Sequence, residues 1–174
     1  QVDNSGEIIL VKDQSLSSNE LFNTVKKYFP GIEKNAEGFI CGIHKGKKYT
    51  IRVKNVTYLG NPHPTFKKRI QITDDLQDFY RKSLSMGAQP ILLGIYSGTK
   101  NLIFVDFSID SFVTKSAHNS SAHVHTSDIA EATIYGFYQK VDYFGNTITA
   151  FRPDLVTTFL DDLLIDSKDG VSRD

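Results

Sequence analysis

Residues 90 to 107 read PILLGIYSGTKNLIFVDF: two apolar runs, Pro90–Tyr96 and Leu102–Phe107, joined by the polar turn Ser97-Gly98-Thr99-Lys100-Asn101. A strand with one face in water alternates apolar and polar residues, whereas a strand covered on both faces has no reason to. Neither run alternates. Both are therefore read as the centre of a sheet with packed layers on each side. Asp106 interrupts the second run, and a lone acid there is read as a buried structural hydrogen-bonding group.

Upstream, Asp74–Met86 carries Leu76, Phe79, Tyr80 and Leu84 at helical spacing. Asp74 and Asp75 stand at its start and Gly87 after its end, which predicts an amphipathic helix. Before it, Gly60–Thr73 reads GNPHPTFKKRIQIT, a Pro-rich turn running into three cations and a short alternating strand. Alternation sends Ile70 and Ile72 inward and Arg69 and Gln71 outward. Gly38–His44 and Lys48–Tyr58 read as a hairpin about Lys45-Gly46-Lys47. In its second strand Tyr49, Ile51 and Val53 share one face, which leaves Thr50, Arg52 and Lys54 on a face expected to be exposed and cationic. Ser17-Ser18-Asn19-Glu20 opens a helix through Phe29, with a serine N-cap, Glu20 in the first turn and Pro30-Gly31 as the stop. Residues 1–16 read as a linker or N-terminal extension, with EIILV as an edge strand.

Downstream, Asp110–Asp128 encloses a polar stretch rich in Ser, Thr, His and Asn. Ala122, Val124 and Thr126 are expected to face inward, and His123 and His125 outward. Thr133–Lys140 and Asn146–Phe151 read as strands about a turn at Phe144-Gly145-Asn146. Pro153-Asp154 opens a last helix with one apolar stripe, Leu155–Leu164. Residues 17–165 thus form a single domain, and 166–174 a polar tail.

The composition is that of an ordinary globular domain: 174 residues, 40% hydrophobic and 23% charged. No apolar run approaches the ~18 residues of a membrane span. The single Cys41 lies in the apolar strand FICGI and fits a structural thiol in a reducing, cytoplasmic setting. The chain starts without Met and is read as a piece of a longer protein. Its zero net charge conceals a segregation. Gly38–Thr73 holds Lys45, Lys47, Lys48, Arg52, Lys54, Lys67, Lys68 and Arg69 and no acid, while Asp154–Asp174 holds six Asp against Lys168 and Arg173. Local charge of this kind attracts polyanions even when the total is neutral.

Glycine-rich phosphate loops, nucleophile elbows and metalloprotease motifs are absent from the sequence. His123 and His125 could share a zinc ion only with Asp128 or His118 as a third ligand, and neither a metal nor another cofactor is expected. A metal-dependent nuclease of the restriction type needs an acid followed by an acid-x-Lys pair. The one such pair, Asp166-Ser167-Lys168, falls in the tail. The residue types instead suit nucleic acid. Arg and amide side chains fork onto guanine and adenine edges, and neighbouring cations and hydroxyls hold phosphates. Arg69, Gln71 and Asn119 are read as base readers. Lys45, Lys47, Lys48, Lys67, Lys68, Lys115, Ser120 and Ser121 are read as backbone contacts. If five or six of the cations neutralise phosphates, log K falls against log salt with a slope of roughly −5.

The element order, KKRIQI (67–72) and HNSSAHVHT (118–126) resemble the B3-like recognition domain of type II restriction endonucleases, which is similar to the pseudobarrel of plant B3 transcription factors. The resemblance implies an α+β, mainly β fold, a seven-stranded open pseudobarrel with flanking helices. It implies sequence-specific binding of double-stranded DNA by two arms gripping the major groove. Catalysis would reside in a separate nuclease domain of the same full-length chain, so that this piece is non-catalytic. Asn61–Gln71 resembles one arm and Thr114–His125 the other, which adds His123 to the readers and Asn61, His63, His118 and His125 to the backbone contacts. A complete small nuclease and an RNA-binding domain stacking bases on Tyr49, Tyr58 and Phe66 are the alternative readings.

Overall fold

The computed structural model describes residues 1–113 and 121–169. At its centre lie β6 (Gln89–Ser97) and β7 (Leu102–Asp106), an antiparallel pair and nearly all buried. Outward from β6 come β3 (Lys47–Asn55), β2 (Ile40–His44) and β1 (Glu33–Lys34); outward from β7 come β10 (Thr147–Phe151) and β9 (Phe137–Val141). Among the described residues only β3 and β6 pair in parallel. A parallel pair needs a crossover, and this one contains β4 (Thr57–Tyr58), β5 (Lys67–Gln71) and helix α2 (Leu76–Ser85). Strands β4 and β5 leave the main sheet and join β8 (Ser121–His125) in a second, three-stranded sheet. The fold is mixed and mainly β with flanking helices. Its large sheet has seven strands and is not closed into a barrel, in keeping with an open pseudobarrel.

Each face of the large sheet has its own core, which is why the central strands do not alternate. Ile91, Leu93 and Ile95 pack under α1 (Ser18–Tyr28) and α5 (Val156–Asp169) with Val25, Phe29, Phe159 and Leu160. Leu92, Tyr96, Ile103 and Val105 face the other way, toward α2, the small sheet and α4 (Thr126–Tyr135), meeting Phe79, Ile70, Val124 and Ile129. Gly94 sets the approach of the small sheet: a Cβ built there would lie 2.5 Å from Val56 Cγ2, 2.7 Å from Phe107 Cε2 and 3.1 Å from Ile70 Cγ2.

Helix α1 starts as expected. Ser17 Oγ accepts the Glu20 N–H at 3.2 Å and Glu20 accepts the Ser17 N–H at 3.0 Å, a reciprocal capping box. The β2–β3 turn follows the Lys-Gly pair, with both Lys45 and Gly46 at positive φ.

Three expectations are corrected. Residues 7–11 form no edge strand beyond an isolated bridge between Ile8 and Val2, and the N-terminal extension is anchored near its two ends. Val2 is fully buried and its N–H donates to the Tyr96 hydroxyl at 2.7 Å, while the Leu16 backbone exchanges two hydrogen bonds with the Asn55 side chain. Thr133–Tyr135 end helix α4 instead of opening a strand. Asp128 Oδ2 accepts the His125 N–H at 2.8 Å at the helix start, and Gly136, at positive φ, stops it. The β-branched and aromatic run TIY favours a strand by local propensity, but the burial of Ile129 and Ala132 on one helical face overrides it. Finally, the second face of β3 is covered by α2: Thr50 is fully buried, its hydroxyl donates to Ser83 Oγ at 2.7 Å, and Arg52 lies 5.0 Å over the Phe79 ring.

Candidate nucleic-acid interface

Strands β5 and β8 are antiparallel neighbours with Lys67 opposite His125, Arg69 opposite His123 and Gln71 opposite Ser121. Directly opposed residues share a face. Lys68 and Ile70, opposite Val124 and Ala122, point into the core. The other face therefore presents Lys67, Arg69 and Gln71 beside Ser121, His123 and His125, with Thr57 of β4 flanking Arg69. Two stretches some fifty residues apart in sequence become one polar, cationic row. Ser121 Oγ lies 3.1 Å from His123 Nε2, and Phe66, half-exposed, sets its ring against the His125 imidazole at 5.3 Å in an edge-on arrangement. Asn61 and His63 stand in the exposed turn before β5.

Among the described residues Lys67 and Arg69 form no ion pair. Their charge acts on the imidazoles instead. Burial, then Lys67, Arg69, His125 and His63, hold His123 below the usual histidine range. Burial and then Lys140 do the same to His125, against an opposing pull from Asp128. Both rings are thus biased toward the neutral form by burial and by the cations around them.

The other expected cations are placed differently. Lys68 is only 3% exposed. Its ammonium donates to both Asp13 oxygens at 2.7 and 2.6 Å and sits 5.6 Å from the Tyr96 ring centroid. Three adjacent cations on a strand cannot all face out, and parity sends the middle one inward. Lys68 is therefore corrected from a phosphate contact to a core ion pair. Lys45 pairs with Asp161 at 2.8 Å, alongside His44 at 2.7 Å, which ties the β2–β3 turn to α5. Lys47 and Lys48 open β3 next to that turn, and β3 carries the chain roughly 26 Å from there to Asn55, near the small sheet. These three are remote from the β5–β8 row. Arg52 pairs with Asp75 at 3.1 Å. The two stretches expected as separate arms are joined, over their described residues, into one antiparallel pair. Lys115, His118, Asn119 and Ser120 lie outside the described residues.

Two other expectations meet the structure here. Tyr49, a base-stacking residue in the alternative RNA-binding reading, is fully buried, and its hydroxyl donates to the Pro30 carbonyl at 2.6 Å. Asp128 is engaged by Lys140 at 2.6 Å and by the His125 N–H, so it is not a third ligand for His123 and His125. Among the described residues no three metal-ligating side chains cluster. Cys41 is partly buried, and burial raises its thiol above the usual range, the reverse of an activated nucleophile. Sequence reasoning missed Lys140 and Asp13, whose importance depends on partners far away in the chain.

A family model described as methylase-associated X1 matches residues 47–160, from the first residue of β3 into α5. The chain belongs to the methylase-associated X1 family. The family is associated with restriction–modification systems. The matched region contains β4, β5 and β8, so the cationic row lies wholly within the methylase-associated X1 domain. No curated protein and no solved structure matches the chain. Among the described residues no helix is long and apolar enough to cross a membrane.

Proposed function

We propose that this domain is a sequence-specific reader of double-stranded DNA serving a restriction–modification system, with catalysis carried by another domain. The observation that carries the reading is the cross-strand row Lys67–His125, Arg69–His123, Gln71–Ser121, cationic and without an acid on its face. The major groove admits a two-stranded ribbon, and strands about 4.8 Å apart with outward side chains fit that width. In this reading Arg69 forks onto a guanine edge, while Gln71 and His123 read neighbouring bases. Lys67, Ser121, His125, His63 and Asn61 hold the backbone. The methylase association of the family supports a setting in which DNA sequence must be recognised, and the B3-like resemblance belongs to the same reading.

The test is duplex selection from a random pool, followed by binding of the selected duplex to the wild-type chain and to Lys67→Glu/Arg69→Glu. The expected result is a convergent site bound by the wild type and lost by the variant, with single-stranded RNA competing poorly. Undiminished binding by a folded variant would overturn the assignment of this face.

A further inference from the structure

The β9–β10 hairpin ends in a feature that its fold does not require. Tyr143 is 96% and Phe144 72% exposed, with Val141 beside them also open to solvent. The two rings meet edge to face at 5.4 Å. The loop carrying them is rigidly built. Asp142 Oδ1 accepts the Phe144 and Asn146 N–H groups at 2.9 and 2.8 Å. The Asp142 N–H donates to the Asn146 carbonyl at 2.8 Å, the Gly145 N–H donates to the Asp142 carbonyl at 3.0 Å, and Gly145 takes positive φ. The Asp142 carboxylate is thus spent on the loop's own amides, and the turn presents two large rings to water.

Chain connectivity brings the tip toward the His125 end of the β5–β8 row. Helix α4 leaves from His125, and β9 returns along it, so that Lys140 bonds Asp128 at 2.6 Å while Asp128 holds the His125 N–H. Tyr143 is three residues beyond Lys140, at most about 10 Å of extended chain. Phe66, half-exposed against His125, adds a further ring at that end of the row. Two rings and one valine fall well short of the roughly 800 Å² that a stable protein partner buries on each side. They match what a nucleobase needs, a flat apolar face next to cations.

Resting on the DNA-binding reading above, we propose that the β9–β10 tip is a nucleobase-stacking element. Tyr143 and Phe144 enter the base stack at one end of the contact made by β5 and β8 and open a base step there. The experiment places 2-aminopurine at successive positions of a duplex selected by the wild-type chain, and measures its fluorescence and the affinity at several salt concentrations. The proteins compared are the wild type, Tyr143→Ala/Phe144→Ala, Tyr143→Phe and Lys67→Glu/Arg69→Glu. The wild type is expected to brighten 2-aminopurine at one edge of the site. The double alanine variant should keep the thermal unfolding midpoint and the salt slope, bind roughly tenfold or more weakly, and lose the brightening. Tyr143→Phe should retain it. A double alanine variant with wild-type affinity and brightening overturns the stacking proposal while leaving the DNA reading intact, provided Lys67→Glu/Arg69→Glu is still impaired. Failure of the wild type to bind duplex at all overturns both.

Discussion

At the scale of single residues, strand parity gives adjacent side chains opposite roles. Lys67 and Arg69 face out, while Lys68 faces in and meets Asp13. Lys68→Ala leaves a buried carboxylate without its partner and should cost about 3–5 kcal/mol in a urea melt. Lys68→Met with Asp13→Leu should recover most of that loss, because a buried pair can be replaced by apolar groups at little cost. On DNA the expected contrast lies between the outward neighbours. Lys67→Ala should weaken all duplexes by one common factor. Arg69→Ala should cost roughly 1–3 kcal/mol on the selected site and relax preference at one base pair, read by binding across all single-base variants. A uniform loss for Arg69→Ala would make it a phosphate clamp.

The imidazoles carry a prediction of their own at this scale. His123 and His125 lie below the usual histidine range in the fold, so the unfolded chain takes up protons first as pH falls below about 6.5. Their contribution to stability is therefore present at neutral pH and is lost as pH drops through the unfolded and then the folded values. Phosphates favour the protonated rings, so duplex affinity should move the other way and rise over the same range. Titration of wild type against His123→Gln/His125→Gln should show both trends diminished in the variant.

Among the elements, β5 and β8 hold the proposed contact, and β3 carries four of the acid-free run's other cations, Lys47, Lys48, Arg52 and Lys54, on a different strand. With Lys68 buried and Lys45 bound to Asp161, the slope of log K against log salt should start at about −1 for Lys67, the cation of the row assigned to a phosphate. Each further phosphate neutralised steepens it by about 0.9, so the measured value should fall short of the −5 that the linear charge pattern suggests. The seat of the small sheet depends on Gly94. Gly94→Ala would press its methyl against Val56 and Phe107, with an expected loss of about 1–3 kcal/mol in denaturant unfolding. At the end of β7, burial pushes the Asp106 carboxyl up to about 7. The folded chain then keeps a proton that the unfolded chain has lost, so stability falls as pH rises from about 4 to 7. Asp106→Asn retains an oxygen for the Ser108 N–H. It should raise the melting temperature by an amount that grows across that interval and levels off above it.

Over the whole molecule, what the sequence by itself determined was whatever depends on neighbours within a turn or a strand. The double-faced burial of residues 90–107 follows from their lack of alternation. The α1 capping box follows from Ser17 and Glu20, and the outward direction of Arg69, Gln71, His123 and His125 follows from period two. What only the tertiary structure decided is which charges meet. The acid-free run from Gly38 to Thr73 is supplied with Asp161, Asp75 and Asp13 from outside it, because ion pairing depends on distance in space and linear charge counting is blind to that. The same holds for α4, where a strand-like composition yields to the burial of Ile129 and Ala132 against the core. It holds too for the pairing of β5 with β8, since antiparallel register between distant segments is set by the packing of Ile70, Ala122 and Val124 beneath them.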